Sequence, residues 1–276
     1  MRIVVYSPKQ QSERSRLAIT AFIKGLREHG HNPQVLETWY STECDLAVWF
    51  GMPAAAIHIA ERQRRDGHNF ISIDAGYLGD RSKWHSIGFN GQNGRADFLN
   101  DMMPSKRAKQ YKWKAKPWNR GADHILLCAQ IPGDTALRGQ DHEKWIEDIQ
   151  TKIALITDTP IKLRPHPEPN MPHNKQKQSL AADLDGATCV VAFNSNTAVD
   201  AILGGIPAIV LDEGSMAYPV AGHYLADIET PPMPDDATIQ QWLNDLAYCQ
   251  WTIKEIETGL AWEHLKKMPA ANIESE

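Results

Sequence analysis

Short apolar runs alternate along the chain with segments whose apolar residues recur every three or four positions. This pattern predicts strands alternating with helices, an α/β fold with parallel sheets. Residues 2–6 read as a first buried strand. Residues 14–29 follow as a helix, with Leu17, Ile19, Phe22, Ile23 and Leu26 on one face and Gly30 at its C-terminal end. Residues 45–50 and 70–74 read as further strands on either side of an amphipathic helix over 54–66. The pattern then lapses: 82–95 is rich in Gly and Asn and reads as loop, and 105–120 is strongly basic. It resumes after Gly121, with strands over 125–130, 161–163, 188–193 and 208–211 and helices over 143–156 and 198–204. Residues 218–236 read as loop. Leu243, Leu246, Ile253, Ile256, Leu260 and Leu265 carry helical spacing, which predicts one or two terminal helices over 238–268.

That order predicts two Rossmann-like lobes facing a central cleft, where α/β ligand sites usually form. A reduced N-terminal, acceptor-side lobe covers 1–118 and a second lobe 119–236; terminal helices over 237–276 can cross back onto the first. With 42% hydrophobic and 23% charged residues, the 276-residue chain is globular in composition, which excludes disordered, collagen-like and coiled-coil classes. Lys and Arg number 29 against 34 Asp and Glu, a net charge of −5, so any polyanion contact must come from a local patch. No apolar run reaches the ~18–20 residues of a membrane span, and the first apolar run is too short for a signal peptide. Cys44, Cys128, Cys189 and Cys249 lie far apart without a CxxC pair, which fits buried thiols in a reduced, cytoplasmic protein.

The most informative segment runs from Cys189 to Val210. A buried strand leads into Asn194-Ser195-Asn196-Thr197, a helix follows, and Gly204-Gly205 turns the chain into the next strand. One residue suffices to cap a helix, and here four residues that favour caps stand in a row. Outward N–H groups and about half a positive charge from the dipole suit a phosphate there. In Ile161-Lys-Leu-Arg-Pro-His-Pro-Glu168, a strand ends and two prolines hold His166 extended at the same sheet edge. Arg164 can pair with a phosphate bidentately, and His166 can donate to a phosphate or a sugar hydroxyl.

Together, Arg164-Pro165-His166-Pro167 and Ser195-Asn196-Thr197-Ala198-Val199-Asp200-Ala201 with Gly205-Ile206-Pro207 resemble the donor lobe of GT-B-type glycosyltransferases of the capsule-polysaccharide synthesis group. The resemblance is specific over about 161–211. It implies a GT-B-like fold and a nucleotide sugar as co-substrate, its phosphates at Ser195, Asn196 and Thr197. Asp200 stands where related sequences often carry a Glu that contacts the donor sugar or ribose. Arg164, His166 and Asn194 complete the donor set, and Gly133, in the loop after 125–130, would let the backbone approach the ligand, with a plain surface loop as the equal alternative.

For the acceptor side, Asp74 is the candidate general base, since it closes a strand before a loop shaped by Gly76 and Gly79; a turn-capping Asp is the plain alternative. His85 and Asp45 are weaker candidates. Ser7, Lys9 and Tyr77 could line the same region. Asp183-Leu184-Asp185 matches a D-x-D metal motif, but a charged turn before a strand accounts for it, and no tightly bound metal is expected. Lys106, Arg107, Lys109, Lys112, Lys114, Lys116 and Arg120 are interleaved with Tyr111, Trp113 and Trp118 and with no acid. Cations neutralise phosphates and aromatic rings stack on unpaired bases, so Lys112, Trp113, Lys114 and Trp118 are candidate contacts to DNA; a solvated linker is the bland reading. Residues 74–81 and 248–262 are similar to those of small phage-encoded glycosyltransferase-like proteins. That similarity implies transfer to a hydroxymethylated pyrimidine in phage DNA, in the host cytoplasm. The alternatives are a capsular or lipid-linked saccharide acceptor, and a non-catalytic nucleotide- or nucleic-acid-binding protein on a transferase scaffold.

Overall fold

The computed structural model describes residues 1–133, 137–166 and 179–267. In chain order the elements are β1 (Ile3–Tyr6), α1 (Glu13–Glu28), β2 (Gln34–Leu36), β3 (Leu46–Phe50), α2 (Ala54–Arg65), β4 (Asn69–Ala75), β5 (Trp84–Phe89), α3 (Lys106–Gln110), β6 (His124–Cys128), α4 (His142–Ala154), β7 (Ile161–Arg164), α5 (Leu180–Leu184), β8 (Ala187–Ala192), α6 (Thr197–Leu203), β9 (Ala208–Val210), α7 (Asp236–Ala247), β10 (Gln250–Thr252), α8 (Ile253–Glu257) and α9 (Leu260–Leu265). They form two compact Rossmann-like units. The first comprises residues 1–110 and the chain from 244 onward, the second residues 111–243.

The first unit is built on a six-stranded sheet of order β10-β5-β4-β3-β1-β2, with β2, β1, β3 and β4 parallel and β5 and β10 antiparallel to their neighbours. Ile3 and Val5 join one core with Phe22, Leu26, Trp251 and Trp262, while Val4 and Tyr6 join a second with Trp49, Ile59 and Phe70. Both faces of β1 are therefore covered, which is why it reads as an unbroken apolar run rather than an alternation. Ser12 caps α1 by accepting from the Ser15 N–H at 3.1 Å, Glu13 stands in its first turn, and Gly30 follows its end at φ 77°.

The second unit is a four-stranded, wholly parallel sheet of order β7-β6-β8-β9. Ile125, Leu127, Cys189, Val191 and Ile209 meet Trp145, Ile149 and Ile153 of α4 in its core. After α6, Gly205 adopts φ 85°, and a Cβ there would lie 2.2 Å from the Pro117 carbonyl oxygen. The bare backbone lets segment 116–119 run alongside, where Lys116 N donates to Leu203 O at 2.9 Å and Asn119 N to Gly205 O at 2.7 Å.

Five elements depart from the sequence expectation, of which β2 and α5 have no counterpart in it. Residues 84–89, expected as loop, form the wholly buried strand β5. The terminal stretch, expected as one or two helices, is three helices interrupted by β10. The basic stretch begins with the short helix α3, whose Arg107 and Ala108 are buried.

Candidate functional site

In the second unit, ladder register places Cys128, Arg164, Ala192 and Val210 in one row at the carboxyl end of the sheet. Every loop of interest leaves from that row: residues 129–133, 165–166, 193–197 and 211–215. In open parallel sheets this edge is where ligands bind. The two motifs read from the sequence thus lie at one edge, on either side of β6, with His166 two residues beyond β7, Ser195 and Asn196 between β8 and α6, and Thr197 opening α6.

The polar residues there divide by role. Asn194, 8% exposed, turns inward: its amide oxygen accepts from Gln130 and its amide nitrogen donates to Asp212 Oδ1 at 3.0 Å. Asp212 Oδ1 also accepts from Gly214 N at 2.9 Å. Asn194 therefore ties the β6, β8 and β9 loops together, a bracing position beneath the site. Ser195 Oγ lies 3.0 Å from Thr197 Oγ1 and accepts from Thr197 N at 3.3 Å, shaping the turn into α6. Asn196 is the N-cap residue, without a side-chain cap bond. Since α6 has only seven residues, local N–H groups rather than a long macrodipole supply what positive potential its start carries.

Arg164 pairs with Asp183 on α5, and Asp183 Oδ1 takes Lys162 Nζ at 2.8 Å. Burial pushes the Asp183 carboxyl up, but hydrogen bonds from Lys162 and Arg164 outweigh it and hold the group below its ordinary range. Asp183, one half of the D-x-D match, is an ion-pair partner buried to 1% exposure. Cys128 behind the site is pushed up to about 12 by burial, against the charge of Arg164 and a hydrogen bond with Thr197. The charge of Asp200, half-buried on α6, pushes the same thiol up. Gly133 adopts φ 75°, and a Cβ added there would meet nothing within 4 Å. Pro167 and Glu168 lie outside the described residues. Among the described residues, no group of three or more His, Cys, Asp or Glu side chains could hold a metal ion.

In the first unit, Asp74 stands half-buried near the carboxyl end of β4. Its Oδ2 accepts from Gln92 Nε2 at 2.7 Å and its Oδ1 from Ala75 N at 2.7 Å. Gly76 follows in a tight bend, where a Cβ would meet Trp84 Cβ at 2.4 Å. Ser7 Oγ accepts from Gln11 Nε2 at 2.9 Å in the segment between β1 and α1. Tyr77 is a core residue: it is buried, its N–H donates to Gln250 Oε1 at 2.6 Å, and burial pushes its hydroxyl far up. In the β4–β5 ladder Asp74 faces Ser86 while His85 faces Ala75, so Asp74 and His85 leave opposite faces of the sheet. His85 is 2% exposed, and burial together with the charge of Arg14 lowers it to about 4.

The basic strip is not one surface. Arg107 is buried in the first unit, Arg120 donates to Thr188 O at 3.2 Å, and the Trp118 indole donates to Pro234 O at 2.8 Å. Lys112 and Lys114 are exposed, and the Tyr111 and Trp113 ring centroids lie 5.1 Å apart.

No family model matches the sequence. One curated relative, dihydroorotate dehydrogenase (quinone) from a Nitratiruptor species, is 27% identical over 126 residues, a stretch of 43% of this chain and 35% of that protein. Among solved structures, the chain is similar to the β-Kdo 2,4 transferase of Thermosulfurimonas dismutans KpsC, with a TM-score of 0.58 and 12% identity over 91% of this chain and 92% of that one. It is similar to the β-Kdo 2,7 transferase of the same KpsC, with a TM-score of 0.56 and 11% identity over 95% and 99%. At these identities the likeness is one of fold: two Rossmann-like α/β units, as in GT-B-type enzymes.

Proposed function

We propose that the chain is a glycosyltransferase that takes its sugar from a nucleotide-activated donor held at the carboxyl edge of the second unit and passes it to a hydroxyl of a saccharide acceptor. The observation that carries this reading is the placement of the Arg164–His166 strand end and the Ser195–Thr197 turn at one sheet edge, on either side of β6. The names of the two similar structures, both Kdo transferases, support it. In the reaction, the acceptor oxygen attacks the anomeric carbon, the bond from that carbon to the donor phosphate breaks, and the nucleotide leaves with its electron pair. His166 and the polar groups of Ser195, Asn196 and Thr197 stabilise the charge that grows on the leaving phosphate. Asp74 takes the proton of the acceptor hydroxyl. Asp200 is the candidate contact to the donor sugar or ribose, and Gly133 lets the backbone of its loop approach the donor.

Hydroxymethylated DNA is the second reading for the acceptor, and one observation favours it: Lys112 and Lys114 are exposed and alternate along the chain with the paired Tyr111 and Trp113 rings. The test incubates the chain with a panel of nucleotide sugars and two acceptors, an oligosaccharide and hydroxymethylcytosine-containing DNA, and weighs the products by mass spectrometry. Mass added to the oligosaccharide supports the first reading. Mass added to DNA, lost in Lys112→Glu/Lys114→Glu and falling steeply with salt, establishes the second. Nucleotide binding without transfer to either acceptor overturns both.

A further inference from the structure

Beyond β9 the chain does not leave the sheet edge. Residues 212–217 run out from the carboxyl end, a single 3-10 turn follows at Tyr218–Val220, and Gly222 then returns as a parallel bridge against Ile209. Gly222 N donates to Ala208 O at 2.8 Å and Val210 N to Gly222 O at 2.9 Å. A parallel bridge fixes direction, so His223 and Tyr224 emerge at the same carboxyl edge as Ser195–Thr197. The Tyr218 and His223 rings stack there with centroids 3.7 Å apart and planes 7° from parallel, and His223 Nε2 lies 2.9 Å from Tyr218 O. Tyr224 stands edge-on to His223, at 6.5 Å and 64°, and is 71% exposed. These rings make two walls of an aromatic corner, one of them open to solvent.

From these positions we infer that Tyr218, His223 and Tyr224 form the subsite for the nucleobase of the donor, an inference that rests on the nucleotide-sugar reading above. Counting outward from β8, the corner lies two strand spacings away, across β9 and the bridge segment, about 10 Å at 4.7–4.9 Å per strand. That is the reach of an extended nucleoside from its phosphates to its base. Asn194 and Asp212 join the loops in between, so the span is braced rather than slack. A flat base fits against aromatic walls through stacking, which any nucleobase can use.

The test titrates the full chain with the mono- and diphosphates of uridine, cytidine, adenosine and guanosine, comparing the parent with Tyr224→Ala and Tyr224→Phe and recording each unfolding midpoint. The expected result is an affinity loss of about tenfold or more in Tyr224→Ala, restoration to within about twofold in Tyr224→Phe, and equal midpoints, as stacking rather than the hydroxyl carries the contact. Equal affinity of Tyr224→Ala and the parent overturns the subsite and leaves the donor reading standing. A Tyr224→Phe chain as weak as Tyr224→Ala also overturns it, because the ring alone then contributes nothing. A parent that binds none of these nucleotides overturns the subsite and the donor reading together.

Discussion

Replacing Arg107 with Ala is expected to lower the stability of the first unit by about 3–5 kcal/mol, the usual cost of leaving one partner of a buried ion pair alone. Arg107 is 6% exposed although it sits in the most basic stretch of the chain. Its Nη1 meets Glu255 Oε1 at 2.7 Å, its Nη2 donates to Gln250 O at 2.9 Å, its Nε donates to Ala247 O at 3.0 Å, and the guanidinium lies 4.1 Å from the Trp251 ring centroid. Glu255 in turn accepts from Thr252 N at 2.8 Å in the capping box that starts α8. Truncation would leave a buried carboxylate and two carbonyls short of a donor, with a cavity beside Trp251. Lys109→Ala, exposed on the same helix, should stay within about 0.5 kcal/mol of the parent. Urea unfolding followed by tryptophan fluorescence checks both. An Arg107→Ala chain as stable as Lys109→Ala would return Arg107 to the surface strip that the sequence suggested.

Asp74→Asn should reduce turnover by about 10²–10⁴-fold, the range a positioned general base contributes, without weakening the donor. The substitution keeps the size of the side chain and an oxygen for Gln92, which now donates to Asp74 Oδ2. It removes the proton acceptor. Steady-state kinetics with donor and acceptor varied in turn separate the two effects: kcat falls while the donor KM holds. Unchanged turnover would remove Asp74 as the base. His85 could not simply replace it, because it points to the other face of the sheet and is buried.

Parallel strands covered on both faces were legible because burial makes them unbroken apolar runs, as in Ile3–Tyr6 and Ala187–Ala192. β5 was not, since Trp84, His85 and Ser86 mix polar and apolar side chains inside a buried strand, and the Gly and Asn residues that follow signal a loop. β10 was hidden by the helical spacing on either side of it. Gln250, fully buried, accepts from Tyr77 N and Leu78 N and so closes the loop after β4, a contact across 173 residues for Tyr77 that local periodicity does not encode. At the carboxyl edge of the second unit, residue types and spacing identified the strand ends and turns. What they left out were the partners: Asp183 for Arg164, Gln130 and Asp212 for Asn194, Glu255 for Arg107. Each joins positions that only the folded sheet order brings together. The aromatic corner at 218–224 was likewise invisible in a stretch that reads as Pro- and Gly-rich loop.

The central claim, that the carboxyl edge of the second unit holds the phosphates of a nucleotide, is met most directly by calorimetric titration of the chain with nucleoside mono- and diphosphates, repeated on His166→Ala and Thr197→Ala. The account predicts saturable binding by the parent and an affinity loss of about tenfold or more in each variant, equivalent to about 1.4 kcal/mol, with the unfolding midpoint preserved. Variants that bind as tightly as the parent, or a parent that binds no nucleotide at all, would contradict it.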